Sequence, residues 1–429
     1  MTCFGAAMNS KSRLIYRVCI AVLISMFASF TNAKTIYVEP ADGSPSGTGT
    51  FEDPYQSLAI ALDETMPGDT VQMRGGRYFL PQTVRINKSG EPDNRITLMS
   101  YPGEWATLDG SEFTVFDEDA VDNTILRLSD VAHWSFKNFS LTRAPSFGIW
   151  IANFSNNILF ENMRVHRNGN TGVQISSGAN NILVLNVDSY QNFDRATNGQ
   201  DSDGFAAKFF VGENIVFRAC RAWGNSDDGW DFWMAGPDSG ITVENSYAYK
   251  NGYDIWDIGP DFEGDGNGFK LGRDEGSHVL RNNLSWGHPR RGFDDNSNTS
   301  GVTLYNNTAY NNEISFRFDS GARHVLRNNL AFGGTELLNT ANDDSANSWN
   351  SGVTIDSSDF VSLDDSLARG ERNGSGNLPI SNFLKLRKDS DAVDRGEDVG
   401  LSFNGRAPDL GAIESDFYVP RVPLELILR

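Results

Sequence analysis

The stretch Asp228-Gly229-Trp230-Asp231-Phe232 recurs, with variations, at five other places in the chain. The other copies are Thr171-Gly172-Val173-Gln174-Ile175, Asp203-Gly204-Phe205-Ala206-Ala207, Asn267-Gly268-Phe269-Lys270-Leu271, Arg291-Gly292-Phe293-Asp294-Asp295 and Ile314-Ser315-Phe316-Arg317-Phe318. Because successive side chains of a strand point to opposite faces, the pattern predicts short strands with a buried third residue and an outward fourth residue. Asp295 breaks the apolar pattern of the fifth position, and we expect a local bulge there.

A second repeat gives the period. An apolar residue is followed four positions later by Asn, and these apolar residues are 24, 24, 33, 26, 38, 23 and 23 residues apart. The pairs are Trp134/Asn138, Ile158/Asn162, Ile182/Asn186, Ile241/Asn245, Val279/Asn283, Val302/Asn306 and Val325/Asn329, with Ile215 and Ala219 at the same place in one further coil. Another Asn often follows ten positions after the apolar residue, at Asn168, Asn192, Asn225, Asn251 and Asn312. A period near 23 residues with variable inserts indicates a solenoid.

The asparagines help to identify the type of solenoid. Asn tolerates left-handed turns, and stacked Asn side chains form hydrogen-bonded ladders from coil to coil. A leucine-rich repeat is the alternative, but its leucine pattern is missing. The sequence therefore predicts an all-β fold, a right-handed parallel β-helix. We expect a short amphipathic helix at 57–64, with Leu58, Ile60, Ala61 and Leu62 mostly on one side, to cap its N-terminal end.

The N-terminus predicts export. Residues 1–33 combine three basic residues, an apolar run at 18–30 and a plausible cleavage site at 31–33, which is typical of a secretory signal peptide. The alternative is an uncleaved anchor, although the apolar run is short for a membrane span. We expect residues 34–429 to form a single domain, with coils at about 75–357 and a C-terminal packing and capping segment at about 358–429. Cleavage leaves only Cys220, so no intramolecular disulfide is expected.

The charge limits the partners. Removing the signal takes away three of 36 basic residues and none of 56 acidic ones, which leaves a net charge of −23. Nucleic acid is therefore not an expected partner, and neither is a membrane after signal cleavage. An acidic polymer would need a locally basic face or a bridging cation. We expect a secreted monomer, located outside the cell or in the periplasm.

Stacking the coils concentrates charge. Neighbouring parallel strands lie roughly 4.8 Å apart, which places Asp231 beside Lys270 and Asp203 beside Asp228. Together with Asp227, these acids supply the hard oxygen ligands that Ca²⁺ accepts in flexible geometry, whereas Mg²⁺ demands a tighter octahedron. Zinc is not expected, because the cluster has no His or Cys. The alternative is that these are ordinary turn acids.

Lys270 lies on the outward face, next to that acid cluster. Two long inserts, at 193–201 and 253–265, come just before Asp203 and Lys270, and inserts on one face of a solenoid usually build the binding face. Lys270 is therefore a candidate base, and a surface salt bridge is the alternative. Further basic residues on this face are candidates for binding anionic substrate groups: Arg290, Arg291, Arg317 and, more weakly, Lys208.

These residue types match one reaction on a uronic-acid polymer. A cation on the substrate carboxylate acidifies the proton on C5. A neutral amine takes that proton, and the bond between C4 and the glycosidic oxygen breaks by elimination. The same cation would bridge an acidic protein and an acidic substrate.

Three segments resemble the family 9 polysaccharide lyases, which are calcium-dependent pectate lyases with a right-handed parallel β-helix. They are the stretches 201–208 (DSDGFAAK), 225–233 (NSDDGWDFW) and 266–272 (GNGFKLG), and the stretch 35–110 also looks like the opening of the family. The resemblance implies that Asp203, Asp227, Asp228 and Asp231 hold calcium and that Lys270 is the base. It implies pectate as substrate, although members of the family are not confined to pectate.

Two other classes remain as alternatives. A β-helix glycoside hydrolase needs two carboxylates at a set separation, and Asp227-Asp228-Gly229 superficially resembles the paired acids of polygalacturonases. However, the Gly-His-Gly and Arg-Ile-Lys motifs of those enzymes are absent. A non-catalytic carbohydrate-binding β-helix would use aromatic residues such as Trp223, Trp256 and Trp286, but it would leave the acid cluster and Lys270 without a role.

Overall fold

A computed structural model describes residues 33–114 and 123–416. The expected signal segment lies outside the described residues, apart from Ala33. The named strands pair in parallel and form three long sheets of 12, 10 and 10 strands. From the second strand, Thr70–Met73, onward, consecutive strands of the chain belong to different sheets, so that each turn of the chain adds a strand to each sheet. This arrangement is a parallel β-helix.

The strands are numbered in chain order. Sheet 1 contains β1 (Thr35–Val38), β2 (Thr70–Met73), β5 (Ile96–Ser100), β8 (Ala132–Lys137), β11 (Asn156–Glu161), β14 (Asn180–Leu185), β17 (Ile215–Arg218), β20 (Ile241–Glu244), β23 (Val279–Arg281), β26 (Thr303–Tyr305), β29 (Val325–Arg327) and β32 (Asp343–Ser345). Sheet 2 contains β3 (Gly76–Phe79), β6 (Ala106–Asp109), β9 (Phe139–Thr142), β12 (Arg164–His166), β15 (Asp188–Tyr190), β18 (Arg221–Trp223), β21 (Tyr247–Tyr249), β24 (Leu284–Trp286), β27 (Thr308–Tyr310) and β30 (Leu330–Phe332). Sheet 3 contains β4 (Val84–Ile86), β7 (Leu126–Ser129), β10 (Ile149–Ala152), β13 (Val173–Ile175), β16 (Phe205–Ala207), β19 (Trp230–Asp231), β22 (Phe269–Lys270), β25 (Arg291–Asp294), β28 (Ile314–Phe318) and β31 (Thr335–Leu338).

One short helix, α1 (Leu58–Asp63), lies at the N-terminal end of the stack. Leu58, Ala61 and Leu62 are buried, whereas Ile60 is exposed and does not share the apolar face that we expected for it. The helix packs against β1 and β4, which are the first strands of sheets 1 and 3. It therefore covers strands whose open edges would otherwise face solvent.

Within the described residues, the other helical elements are single 3₁₀ turns. They span Gly110–Glu112, Gly259–Asp261 and Ser357–Asp359. Across residues 33–114 and 123–416, every helix is too short and too polar to cross a membrane.

Sheet 3 brings the copies of the first repeat into register. Val173 pairs with Phe205, and the same position continues through the aromatic residues Trp230, Phe269, Phe293 and Phe316. Their side chains are buried, and the centroids of successive rings from Phe205 to Phe316 are 4.7–5.0 Å apart. The prediction that the third residue of each copy points inward is confirmed. Each stacked pair adds about 1 kcal/mol beyond its burial.

A buried Asn ladder runs through the turns from sheet 2 to sheet 3. The side-chain amide of Asn168 donates to Oδ1 of Asn192 at 3.0 Å, and the next two steps, through Asn225 to Asn251, measure 2.9 and 3.0 Å. The backbone N–H of Asn251 then donates to Nδ1 of His288 at 3.3 Å. Because each amide needs its neighbour to satisfy its buried polar atoms, the ladder holds the coils in register.

The second repeat is one residue out of register in two coils. Val279 pairs with Thr242 and not with Ile241, and Val325 pairs with Thr303. In both coils a buried histidine holds the inward position. The repeat was defined by an apolar residue at this position. In these two coils we therefore assigned the position to the valine that follows each histidine.

Because of the same shift of one residue, the prediction that Asn283 and Asn329 occupy the turn was wrong. One residue per coil adopts a left-handed conformation after the sheet 1 strand, with φ of 51–62°. These residues are Asn138, Asn162, Asn186, Ala219, Asn245, Asn282, Asn306 and Asn328. Asn283 and Asn329 follow the turn instead and are buried in a second ladder, in which Asn283 donates to Asn307 at 3.0 Å.

The two histidines differ in their contacts. His278 packs edge-on against Phe232 at a ring distance of 5.1 Å, and its ring nitrogens have no hydrogen-bond partner among the described residues. Burial lowers the pKa of His278 to about 3. His324 instead lies with Nε2 3.3 Å from Oδ2 of Asp295, and both side chains are buried. The expected bulge at Asp295 is absent, since its N–H donates to the carbonyl of Arg317 at 2.9 Å and continues the ladder.

The described part of the C-terminal segment packs along sheet 2. Phe360, Phe383 and Leu386 form a buried cluster with Trp286 and Leu330 on the outer face of that sheet. The stacked strands run from Thr35 to Ser345, compared with the expected coils at about 75–357.

Replacing His278 with Val should make the fold less sensitive to acid. Val302 holds the same inward position in the next coil, so Val fits the site. His titrates near ~6.5 when unfolded, and its pKa is about 3 when folded. The unfolded state therefore binds more protons between these values, and stability falls as the pH falls through this window.

Between pH 7 and pH 4.5, wild type should lose on the order of 2 kcal/mol more unfolding free energy than H278V. Urea denaturation at both pH values measures the difference. Equal losses in the two proteins would show that buried His278 does not set the acid sensitivity.

Candidate active site

The outward column of sheet 3 is in the predicted register. Gln174 pairs with Ala206, Ala206 with Asp231 and Asp231 with Lys270, and the column continues through Asp294 and Arg317. Asp203 and Asp228 hold equivalent positions before the strands, and the N–H of Gly204 donates to the carbonyl of Asp228 at 3.0 Å. The strand repeat therefore places acids and a lysine from successive coils side by side.

Four buried acids converge at this place. One carboxylate oxygen from each of Asp203, Asp227, Asp228 and Asp231 lies within 4.8 Å of the others. We call these four residues the acid cluster. Their exposed fractions are 0–2%. Such close packing of carboxylates is costly unless positive charge or hydrogen-bond donors compensate.

Neighbouring turns hold the acid cluster by hydrogen bonds. Oδ1 of Asp228 accepts from the backbone and side-chain N–H groups of Asn267, both at 2.8 Å. Oδ1 of Asp227 accepts from the backbone N–H of Asp265 at 2.6 Å. The hydroxyl of Thr171 donates to Asp203 at 3.3 Å. These three carboxylates are therefore oriented by the coil beside them, whereas Asp231 accepts from the backbone N–H of Trp233 in its own coil at 2.9 Å.

Two lysines neutralise part of the acid cluster. Nζ of Lys208 lies 2.8 Å from Oδ2 of Asp203 and 2.7 Å from Oδ2 of Asp231. Nζ of Lys270 lies 3.1 Å from Oδ2 of Asp228 and 3.4 Å from Oδ2 of Asp231. Asp231 therefore contacts both amines, and two positive charges face four carboxyl groups.

The pKa values of the four acids reflect the excess of carboxyl groups over lysines. Burial raises the pKa of Asp203 to about 7 and that of Asp228 to about 6, although Lys208 and Lys270 oppose the shifts. Burial and then the neighbouring Asp228 raise the pKa of Asp227 well above its usual value. For Asp231 the two lysines outweigh burial and lower the pKa. The site thus carries more carboxylate than its own lysines neutralise.

The donor set fits a hard divalent cation. All four groups offer carboxylate oxygens, which Ca²⁺ and Mg²⁺ prefer, and the acid cluster contains no His or Cys. Oδ2 of Asp228 is buried, and among the described residues its polar contact is the ion pair with the amine of Lys270 at 3.1 Å, so a bound cation would compete with Lys270 for this oxygen.

Asp265 was missed by the sequence analysis. It stands at the end of the second insert, where its Oδ2 lies 3.1 Å from Nζ of Lys270 and its Oδ1 lies 2.5 Å from Nη1 of Arg290. A loop acid has no strand register to place it. The only sequence signal was the insert itself, which falls on the face of the cluster.

The remaining predicted site residues are the arginines Arg290, Arg291 and Arg317, which lie at the edge of the acid cluster; we call them the rim arginines. Arg290 pairs with Asp265. Nη1 of Arg291 lies 2.7 Å and Nη1 of Arg317 lies 3.4 Å from the buried carboxylate of Asp294. The structure thus brings Lys208 and Lys270 into the acid cluster, and it places the three arginines toward the C-terminal coils.

The aromatic candidates have structural contacts. Trp286 is buried, and its indole N–H donates to Asp365 at 2.9 Å. Trp223 stacks between Tyr190 and Tyr249 on the outer face of sheet 2. Trp256 is half-buried and stacks on Phe193. This ring contact joins the two long inserts.

Comparison with known proteins assigns the chain to a family. The protein-family model described as "Pel9A-like, right handed beta helix region" matches residues 36–341. The chain belongs to this family. The predicted resemblance to the family 9 lyases and the predicted all-β, right-handed parallel β-helix are therefore confirmed.

Relatives of the Pel9A-like family match nearly the whole chain. Pectate lyase L of Dickeya chrysanthemi is 36% identical over 403 residues, which cover 91% of this chain and 93% of that protein. The crystal structure of pectate lyase Pel9A is 34% identical, with a TM-score of 0.81, and covers 89% of this chain and 96% of its own. A rhamnogalacturonan lyase structure is 27% identical, with a TM-score of 0.74, covering 83% of this chain and 97% of its own. The chain is a polysaccharide lyase.

Replacing Asp227 with Asn should weaken the binding of Ca²⁺. The Asn side chain keeps the size and the acceptor for the N–H of Asp265, but it removes one negative ligand from the acid cluster. We expect an affinity at least about tenfold lower by isothermal titration calorimetry.

Asp201→Asn is the matched control for Asp227→Asn. Asp201 is exposed and lies two residues before Asp203, outside the acid cluster, so D201N should bind Ca²⁺ as wild type does. An unchanged affinity in D227N would show that these acids do not hold the ion.

Proposed function

We propose that this polysaccharide lyase cleaves pectate or a closely related uronan by calcium-assisted β-elimination. In this proposal Lys270 is the base, and Asp203, Asp227, Asp228 and Asp231 hold Ca²⁺. One observation carries it: the amine of Lys270 lies 3.1 and 3.4 Å from two of the four clustered carboxylates, in a chain related to pectate lyases over nearly its whole length. The base and the cation site are therefore adjacent.

Lys270 must be neutral to accept a proton. Its pKa follows from two opposed effects: burial lowers it, and the neighbouring carboxylates, led by Asp228 and Asp231, raise it well above the usual value. These carboxylates are the ones that would hold the ion. Once their charge is compensated, burial is the main remaining effect, and it favours the neutral amine that the reaction needs.

Calcium, when bound, would neutralise a substrate carboxylate and make the neighbouring C5 proton more acidic. Lys270 then takes this proton at Nζ. The electron pair of the C5–H bond forms the double bond between C4 and C5, and the C4–oxygen bond breaks. The leaving oxygen takes a proton from solvent water, Lys270 later releases its proton to solvent, and the new chain end is an unsaturated uronate.

The rim arginines are suited to binding further substrate carboxylates. The side chains of Arg290, Arg291 and Arg317 are 50%, 24% and 27% exposed. Arg290 pairs with Asp265 and Arg291 with Asp294, whereas Arg317 pairs with both Asp294 and Asp319, so Arg290 and Arg291 keep more donors for a substrate. Guanidinium groups bind carboxylates in a planar, bidentate manner. Lys208 is placed differently, since its amine is bound between Asp203 and Asp231. We infer that Lys208 maintains the spacing of those acids.

The same proposal places the enzyme outside the cytoplasm. The predicted signal at residues 1–33 supports export, and the proposed substrate is an extracellular polymer. The surroundings of Lys270 also separate elimination from hydrolysis, because a hydrolase needs two carboxylates as acid and base or nucleophile and has no use for this lysine.

Lys270→Ala should reduce turnover of polygalacturonate by roughly a hundredfold or more, because it removes the base. The acid cluster should still bind Ca²⁺, since Lys270 competes with the ion for Asp228 and Asp231. The ultraviolet absorbance of the unsaturated product measures the rate, and calorimetry measures binding of Ca²⁺.

Lys250→Ala is the control for Lys270→Ala. Lys250 is half-exposed, lies 3.5 Å from Asp365 on the side of the C-terminal segment, and should be replaceable without loss of activity. Substantial activity in K270A would refute the mechanism. The same assay on a rhamnogalacturonan backbone tests the second substrate class, which the similarity to a rhamnogalacturonan lyase raises.

A further inference from the structure

A groove of about 830 Å³ lies N-terminal to the acid cluster, in the turns that lead from sheet 2 to sheet 3. Its walls include Arg143, Arg167, Gln191, Arg195 and Trp256. We call these five residues the arginine groove. In a chain with a net charge of −20, three arginines around one cavity are a local reversal of sign.

The backbone at two of these arginines is unusual. The residue that follows each sheet 2 strand adopts a left-handed conformation in eight successive coils, with φ of 52–73°. Gly or Asn, which tolerate this conformation, stand at Gly224, Gly287, Asn311 and Gly333. Long side chains stand there only at Arg143, Arg167, Gln191 and Lys250, although this conformation costs most residues about 1 kcal/mol or more.

Three of these four long side chains line the arginine groove. The exception is Lys250, which faces Asp365 of the C-terminal segment and has a structural partner there. A side chain from a left-handed turn position leaves the regular face of the sheet. Successive coils therefore extend Arg143, Arg167 and Gln191 along one wall of the groove.

Two guanidinium groups of the groove have no carboxylate within ion-pair distance among the described residues. Arg167 lies over the ring of Tyr190 at 6.0 Å, and Arg195 lies over Phe193 at 5.9 Å. Arg143 is different, because its Nε donates to Asp109 at 3.0 Å. The positive charges of Arg167 and Arg195 are thus free to bind an anion.

One acid also lines the groove, but it is already bonded. Asp194 is buried and accepts hydrogen bonds from the side chain of Asn170 and from the N–H of Ala196, both at 2.8 Å. Asn170 in turn accepts from the N–H of Thr171, whose hydroxyl donates to Asp203. Hydrogen bonds through Asn170 and Thr171 therefore connect Asp194, in the wall of the groove, to Asp203 of the acid cluster.

We propose that the arginine groove is a distal subsite that binds carboxylates of the anionic polymer on the N-terminal side of the acid cluster. Arg167 lies one coil and Arg143 two coils before Asp203, or roughly 5 and 10 Å along the stack. Arg290, Arg291 and Arg317 lie on the opposite side. A polymer following the stack would therefore meet guanidinium groups on both sides of the reacting bond. This inference rests on the proposed function, because it takes the polymer to be a uronan.

The double variant Arg167→Gln, Arg195→Gln tests the distal subsite. Gln191 occupies the position equivalent to Arg167 in the next coil with φ of 55°, so Gln is compatible with that turn. Each lost contact should weaken binding about fivefold. We expect KM for polygalacturonate to rise more than tenfold with kcat unchanged.

A second measurement avoids turnover. In chelator, wild type and the double variant are titrated with polygalacturonate by affinity electrophoresis, and the variant should bind more weakly. On methyl-esterified pectin, which lacks the carboxylates, the two proteins should behave alike. Arg406→Gln is the matched control, since Arg406 is exposed in the C-terminal segment and far along the chain from the groove.

The outcomes separate the two proposals. If wild type makes unsaturated product but the double variant keeps its KM and its affinity in chelator, the distal subsite is refuted and the proposed function stands. If wild type makes no unsaturated product from any uronan, the proposed function fails, and the subsite assignment fails with it.

Discussion

Each position in the stacked strands and regular turns lies beside its own counterpart one coil later, roughly 4.8 Å away. This constraint decides which residues the stack tolerates. Stacked aromatic rings gain from it, as between Trp230 and Phe269 at 4.7 Å. Asparagines gain as well, because each buried amide satisfies the next. Since both devices work only in register, they hold the coils in the alignment on which the site depends.

The same constraint makes the acid cluster costly. Equivalent turn positions bring Asp203 beside Asp228, and burial removes the water that would screen them. The chain offsets part of this cost with Lys208 and Lys270, yet carboxyl groups remain in excess. A site that keeps such repulsion in its resting state is preorganised for a cation, because the ion restores a balance that the protein alone does not reach.

Much of this arrangement was predictable from the sequence. The fold is repetitive, and the alternation of side chains along each strand determines which residues of neighbouring coils lie side by side. The neighbours Asp231 and Lys270 came directly from it. Prediction went wrong where a residue type broke the pattern: buried His278 replaced an apolar residue and shifted the alignment by one. It was incomplete where loops act, since Asp265 reaches Lys270 from an insert that has no period. The position of Lys208 inside the cluster depends on side-chain direction, which spacing does not determine.

An acidic enzyme for an acidic polymer faces a general difficulty, since long-range charge repels the substrate. The solenoid offers a local solution. Turn residues repeat at coil spacing, so a few arginines at equivalent positions make a line of positive charge without altering the core. The left-handed turn after sheet 2 serves this purpose at Arg167, whereas Arg143, at the same position two strands of sheet 2 away from Gln191, is paired with Asp109. Because Gly would relieve the backbone strain there, a long charged side chain at such a position is best explained by what it binds.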